Sequence, residues 1–163
     1  MEQLTVRSPA TWWDCVDMGG SRAYTRKANI YMRSKGDSLA ISDGDQLLAL
    51  AFLCRDDLGR LEFALAIKPD ASRHMRRLCR LAHLTLGGIA ETGTVIICHV
   101  MTGNETGARM ARLVGFVPSE GTMWIFSGAS DDKHDLGIVR RGQLELGGDE
   151  GGGAVVSAAA GGE

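Results

Sequence analysis

Apolar positions in the first 126 residues fall in short runs, punctuated by Gly, Pro and Asp. "QLTVRSP" reads as a short strand that Pro9 closes. In "ATWWDCVDMGGSRAYTRKANIYM", Trp12, Trp13, Val16 and Tyr24 suggest helical packing, and Gly19-Gly20 divides it into two short helices. "SLAIS" predicts a strand, "DGD" a tight turn, and "QLLALAFLCR" a long apolar strand. After the turn "DDLG", the segment "RLEFALAIK" alternates: Leu61, Phe63, Leu65 and Ile67 on one face, Glu62, Ala64 and Ala66 on the other. Three antiparallel strands are therefore expected, ended by Pro69-Asp70.

The period then changes. Met75, Leu78, Cys79, Ala82, Thr85 and Leu86 recur at helical spacing, Arg73, Arg76, Arg77, Arg80 and His83 take the other faces, and Gly87-Gly88 is expected to stop the helix. "TVIICHVM" is a β-branched run of strand length, expected to be buried on both faces. "NETGARMARLV" predicts a helix with Asn104 as N-cap, and "FVPSEGTMWIFSG" a closing hairpin around "SEG". The predicted order is β, α-α, β-β-β, α, β, α, β-β.

Composition adds a boundary. The chain has 163 residues and a net charge of −2, which suits one domain. Residues 1–126 carry 15 Lys/Arg and 13 Asp/Glu, whereas residues 127–163 carry 3 and 7. We therefore expect a folded domain over residues 1–128 and an acidic, Gly/Ala-rich flexible tail over residues 129–163, dispensable for stability from about Gly147. No apolar leader and no run long enough for a transmembrane helix is present, so no membrane role is expected. Cys15, Cys54, Cys79 and Cys98 have no metal spacing. They read as reduced core cysteines of a bacterial cytoplasm or host-cell interior, and no metal is expected. With no global positive charge, nucleic acid is not an expected partner, and the arginine face over residues 73–80 lacks interleaved aromatics.

Single residues keep two readings each. Asn104 is a helix cap or more; Glu62 is a base or a solvated turn residue; Arg73, Arg76 and Arg77 bind phosphate or form a solvated face. His99 stands near the C-terminal end of the central strand, where ligands of such sheets often lie, or is a core or hydrogen-bonded histidine, the reading preferred; Trp12-Trp13 line a substrate cleft or pack the first helix, and packing is preferred.

The succession "AIKP", "DASRHMRRLCRLAHLTL", "TVIICHV", "GNETGARMARLV" and "GF" resembles the GCN5-related N-acetyltransferase (GNAT) superfamily over residues 4–126. The resemblance implies an α+β GNAT-like fold, a mixed, mostly antiparallel sheet with helices on both faces. It implies acetyl-CoA between the strands at residues 64–68 and 95–101. Leu65, Ala66 and Ile67 would orient the thioester, Asn104 would stand beside the pantetheine arm, and Glu62 would be the candidate base.

The chain departs from the family pattern at two places. The family's glycine-rich phosphate loop is replaced by "DASRHMRRL", leaving Arg73, Arg76 and Arg77 as candidate phosphate contacts. The helix position where many members carry a Tyr acid is Ala111. The resemblance thus implies either an N-acetyltransferase of phage or prophage type, with an unidentified amine acceptor, or a non-catalytic GNAT-fold phage protein. The second would contact virion proteins, as GNAT-like internal virion proteins of short-tailed phages do. The location implied is the cytoplasm of a bacterial host or the virion.

Overall fold

The computed structural model describes residues 4–128. The expected tail, with its dispensability from Gly147, lies outside the described residues. Within them the chain runs β1 (Leu4–Arg7), α1 (Trp12–Gly19), α2 (Ala23–Lys35), β2 (Gly36–Asp43), β3 (Gln46–Arg55) and β4 (Leu61–Ile67). A 3-10 turn (Pro69–His74) leads into α3 (Met75–Ala90), followed by β5 (Ile96–His99), α4 (Glu105–Val114), β6 (Phe116–Pro118) and β7 (Met123–Phe126). This is the predicted order. The seven strands form one sheet in the order β1-β2-β3-β4-β5-β7-β6. Every pairing is antiparallel except β4 with β5. The expected α+β class, a mixed and mostly antiparallel sheet with helices on both faces, is what the chain forms.

The alternation in β4 explains the layering. Phe63 and Leu65 face a core shared with Leu78, Cys79 and Leu86 of α3 and Met110, Ala111 and Val114 of α4. Ala64 and Ala66 face a second core with Cys15 of α1, Leu50 and Phe52 of β3, and Ile30 of α2 at its edge. A β-bulge between β2 and β3, where Ile41 pairs with Ala49 and Ser42 with Leu47, leaves Leu48 as the extra residue. All four cysteines are reduced and pack in or against these cores, three of them buried.

Two expectations are corrected. Gly87-Gly88 do not stop α3, which continues to Ala90. A Cβ at either glycine would meet nothing within 4 Å, so both sit on an open helix face and cost only about 1 kcal/mol each relative to Ala, while Leu86 and Ile89 pack on the core. The turn out of the helix occurs at Gly93, with φ +81° and its N–H donating to the Ala90 carbonyl. Trp12 and Trp13 do not pack α1 either. They are 47% and 72% exposed, because the face that α1 buries is set by Cys15 and Gly19.

The block from Asn104 to Phe116 is built as expected. Asn104 Oδ1 accepts from the Gly107 N–H at 2.8 Å. Gly115 closes α4 at φ +112°, a left-handed turn that favours glycine. Phe116 then stacks on Phe63, with ring centroids 5.9 Å apart, and meets Phe126 edge-on at 5.4 Å. His83 ties α3 to this corner: its Nδ1 lies 2.8 Å from the Val114 carbonyl, and since a carbonyl only accepts, that nitrogen carries the hydrogen.

Candidate active site

The parallel pairing of β4 with β5 holds the site. It covers only Leu61 with Ile96 and Glu62 with Ile97. Among the described residues no strand pairs with the β5-facing edge of β4 beyond Glu62, which opens a gap in the middle of the sheet. The phase of the ladder decides which backbone groups face that gap. Lys68 N–H donates to the Leu48 carbonyl at 2.9 Å, so even-numbered residues of β4 bond to β3. Leu61 N–H donates the other way, to the Val95 carbonyl at 2.9 Å. The N–H groups of Leu65 and Ile67 therefore point into the gap, whereas that of Ala66 is turned to β3. Among the three residues the resemblance singled out, two aim donors at the opening and the third lends it only its position.

Glu62 stands at the closed end of the gap. It is half-buried, and its Oε1 is shielded from solvent without a hydrogen-bond partner. Burial pushes its carboxyl up from the ordinary glutamate range, partly countered by His99 and Arg60, while Asp56 adds to the rise. The solvated turn residue is thus not what the structure contains. His99 lies two residues past Ile97, the register partner of Glu62, and so on the same face of the sheet. Its Nδ1 is 3.1 Å from Thr122 Oγ1. Sequence reading preferred a core or hydrogen-bonded role for His99 and did not join it to Glu62. The signal that brings it in is the parallel register between two strands far apart in sequence. Cys98, pointing to the opposite face, is a buried thiol pushed up to about 12 by desolvation and by Glu62, so it remains protonated at neutral pH.

The remaining candidates lie around the other end. Asn104 follows β5 and caps α4, so its oxygen is committed to Gly107. Ala111 is buried in the core and offers no acid. An acyl-CoA is the group that the resemblance implies, and the residues fit its two halves unequally. The gap with its two outward N–H donors suits a thioester on a narrow arm. The turn before α3 does not supply a phosphate cradle. Its first residues are Pro69, which has no N–H, and Asp70, whose carboxylate Oδ2 accepts from Gln46 Nε2 at 2.7 Å. A carboxylate already stands where the turn's N–H groups would favour a phosphate.

Arg73 Nε donates to His74 Nε2 at 2.8 Å, and Asp43 Oδ2 lies 3.9 Å from Arg73 and 3.4 Å from the buried His74. The turn is thereby tied to the β2–β3 hairpin. Arg76 and Arg77 are exposed at the start of α3. Among the described residues no His/Cys/Asp/Glu cluster has the arrangement of a metal site, and no helix is long and apolar enough to cross a membrane.

No protein-family model matches the chain, and no curated protein matches it. Among solved structures, the chain is similar to YncA of Salmonella typhimurium, described by assignment as an acetyltransferase and solved with its cofactor acetyl-CoA. The likeness has a TM-score of 0.48 at 15% identity, over 75% of this chain and 88% of YncA.

Proposed function

We propose that the protein is a GNAT-type N-acyltransferase that moves an acetyl group from acetyl-CoA to an amine. The observation that carries this reading is the gap between β4 and β5, lined by the Leu65 and Ile67 N–H groups, with Glu62 at its closed end and His99 on the same face of the sheet. The amine nitrogen attacks the thioester carbonyl carbon, the C–N bond forms, the C–S bond breaks and the thiolate leaves. The N–H donors stabilise the negative charge that builds on the carbonyl oxygen. Glu62 takes the proton that the amine must lose, and its raised proton affinity makes it a stronger base than an ordinary carboxylate. Leu65 is three residues along the strand from Glu62, about 10 Å, so the proton travels through water. The thiolate takes its proton from water as well, because Ala111 cannot give one. Arg76 and Arg77, with Arg73, supply charge for the phosphates in place of a backbone cradle.

The test is thiol release from acetyl-CoA over a panel of primary amines. Glu62→Gln should lower kcat roughly 100-fold or more and remove the rising limb of the pH profile. His99→Gln should shift that limb to higher pH, because His99 pulls the Glu62 carboxyl down. Wild-type activity with an unchanged profile in Glu62→Gln would take the base role away from it.

A second reading is favoured by the turn at residues 69–74, where Asp70 and the buried His74 are tied to the β2–β3 hairpin. In it the protein is a non-catalytic GNAT-fold component that contacts virion proteins. The absence of acetyl-CoA binding at millimolar concentration would support it over the first. The phage or prophage setting and the cytoplasm of a bacterial host rest, in both readings, on the sequence resemblance alone.

A further inference from the structure

We propose that the outward face of α2 docks single-stranded nucleic acid. Residues 21–35 contain five Lys or Arg and no Asp or Glu. Two of the five serve the fold: Arg26 donates to the Gly20 carbonyl, and Arg33 Nε donates to the Ala10 carbonyl at 2.5 Å. The other three, Arg22, Lys27 and Lys35, are exposed and form no ion pair among the described residues. At 3.6 residues per turn, Lys27, Tyr31, Tyr24 and Lys35 fall within about 80° of one another, opposite the buried Asn29. Tyr24 is 79% exposed and Tyr31 60%. Lys35 Nζ sits over the Tyr31 ring, 5.4 Å from its centroid.

Two further exposed rings stand at the start of α1, where Trp12 and Trp13 meet edge-on at 4.8 Å. The bond from Arg33 to Ala10, made on the side of α2 away from the tyrosines, holds that segment to the helix. None of these four rings belongs to either core.

Chemistry selects the occupant. Exposed aromatic faces interleaved with unpaired cations match bases that stack and phosphates that need charge. The two tyrosines are seven residues apart, about 10 Å along the axis, so bases stacked on them would have room for a nucleotide between. A duplex would offer no free base faces. A lipid surface would need an aliphatic stripe, but the aliphatic Ile30 and Met32 of α2 pack inward. An acidic peptide would use the lysines and leave the rings idle. This is the interleaving that the arginine face of α3 lacks.

The experiment is fluorescence anisotropy of the full chain with labelled oligo-dT and oligo-U of about 12 nucleotides, within the usual site sizes, as a function of salt. Binding is expected, and Tyr24→Ala with Tyr31→Ala should weaken it at least about tenfold. Replacing both by Phe should retain it. Lys27→Ala with Lys35→Ala should flatten the salt dependence by about 0.7 in log–log slope for each phosphate that is no longer neutralised. All four side chains are exposed, and circular dichroism of the variants checks the fold. The proposal is overturned by no binding at low salt, by binding that the tyrosine pair does not alter, by equal binding of a duplex of the same length, or by phosphatidylserine vesicles that bind while the oligonucleotides do not.

Discussion

Glu62 is the residue on which the chemistry turns, and its burial makes a thermodynamic prediction apart from activity. Its carboxyl is raised in the folded protein, above a reference value of 4.5. The unfolded chain then loses its proton first as pH rises. Between the two pKa values the folded state binds more protons, so stability falls with pH in that window, and the penalty stays at higher pH. Glu62→Gln should therefore raise the melting temperature at pH 7 and leave it almost unchanged near pH 3. An equal gain at both pH values would assign the effect to packing. Asn104 makes a second prediction at this scale. Its Oδ1 satisfies an N–H in the first turn of α4, so Asn104→Ala should cost about 1 kcal/mol in chemical denaturation, and Asn104→Asp much less. A loss near zero would mean the cap is replaced by water. From sequence Glu62 was a candidate base beside a solvated-turn reading, and His99 was not joined to it. Glu62 stands just after a turn, where exposure is the usual state, and only pairing with the distant β5 buries it and sets His99 beside it.

Among the elements, β4 was the most legible. It is covered on both faces by unlike cores, so large and small residues alternate along it, and the period of two survives in the sequence. Its hydrogen-bonding phase was not legible, because that is set by its pairing with β3, fixed where Lys68 bonds to the Leu48 carbonyl. α3 was legible in its start and misread at its end, since outward glycines weaken a helix without ending it. The glycine in α4 has another reason. A Cβ on Gly107 would come 2.5 Å from Asn104 Nδ2 and 2.8 Å from its Cγ, a distance at which the cap must move. Gly107→Ala should thus lose more than the helix propensity of alanine gains, about 1 kcal/mol, and the loss should vanish in an Asn104→Gly background. A stabilised Gly107→Ala would show that the cap can shift freely.

For the whole molecule, the order of elements was legible in the sequence, and the resemblance carried by that order and its motifs implied one mixed sheet with helices on both faces, an arrangement in which each helix buries its apolar side. The splay of β4 from β5 was not, since it is a divergence in space between two strands that each look ordinary. Phe116 joins the two halves. It is 2% exposed and lies between Phe63 of β4 and Phe126 of β7. Phe116→Ala should cost about 3–5 kcal/mol and lower stability across the whole transition. A change near zero would contradict the packing of β6 and β7 against the rest. The most direct test of the gap itself is an amide proton–nitrogen correlation spectrum of the labelled protein titrated with acetyl-CoA. The Leu65 and Ile67 amides, which face the opening, should shift strongly, and the Ala66 amide, bonded to β3, should shift far less. Leu65 and Ile67 amides that stay still at millimolar acetyl-CoA, or shifts no larger than that of Ala66, would contradict an acyl thioester held between β4 and β5.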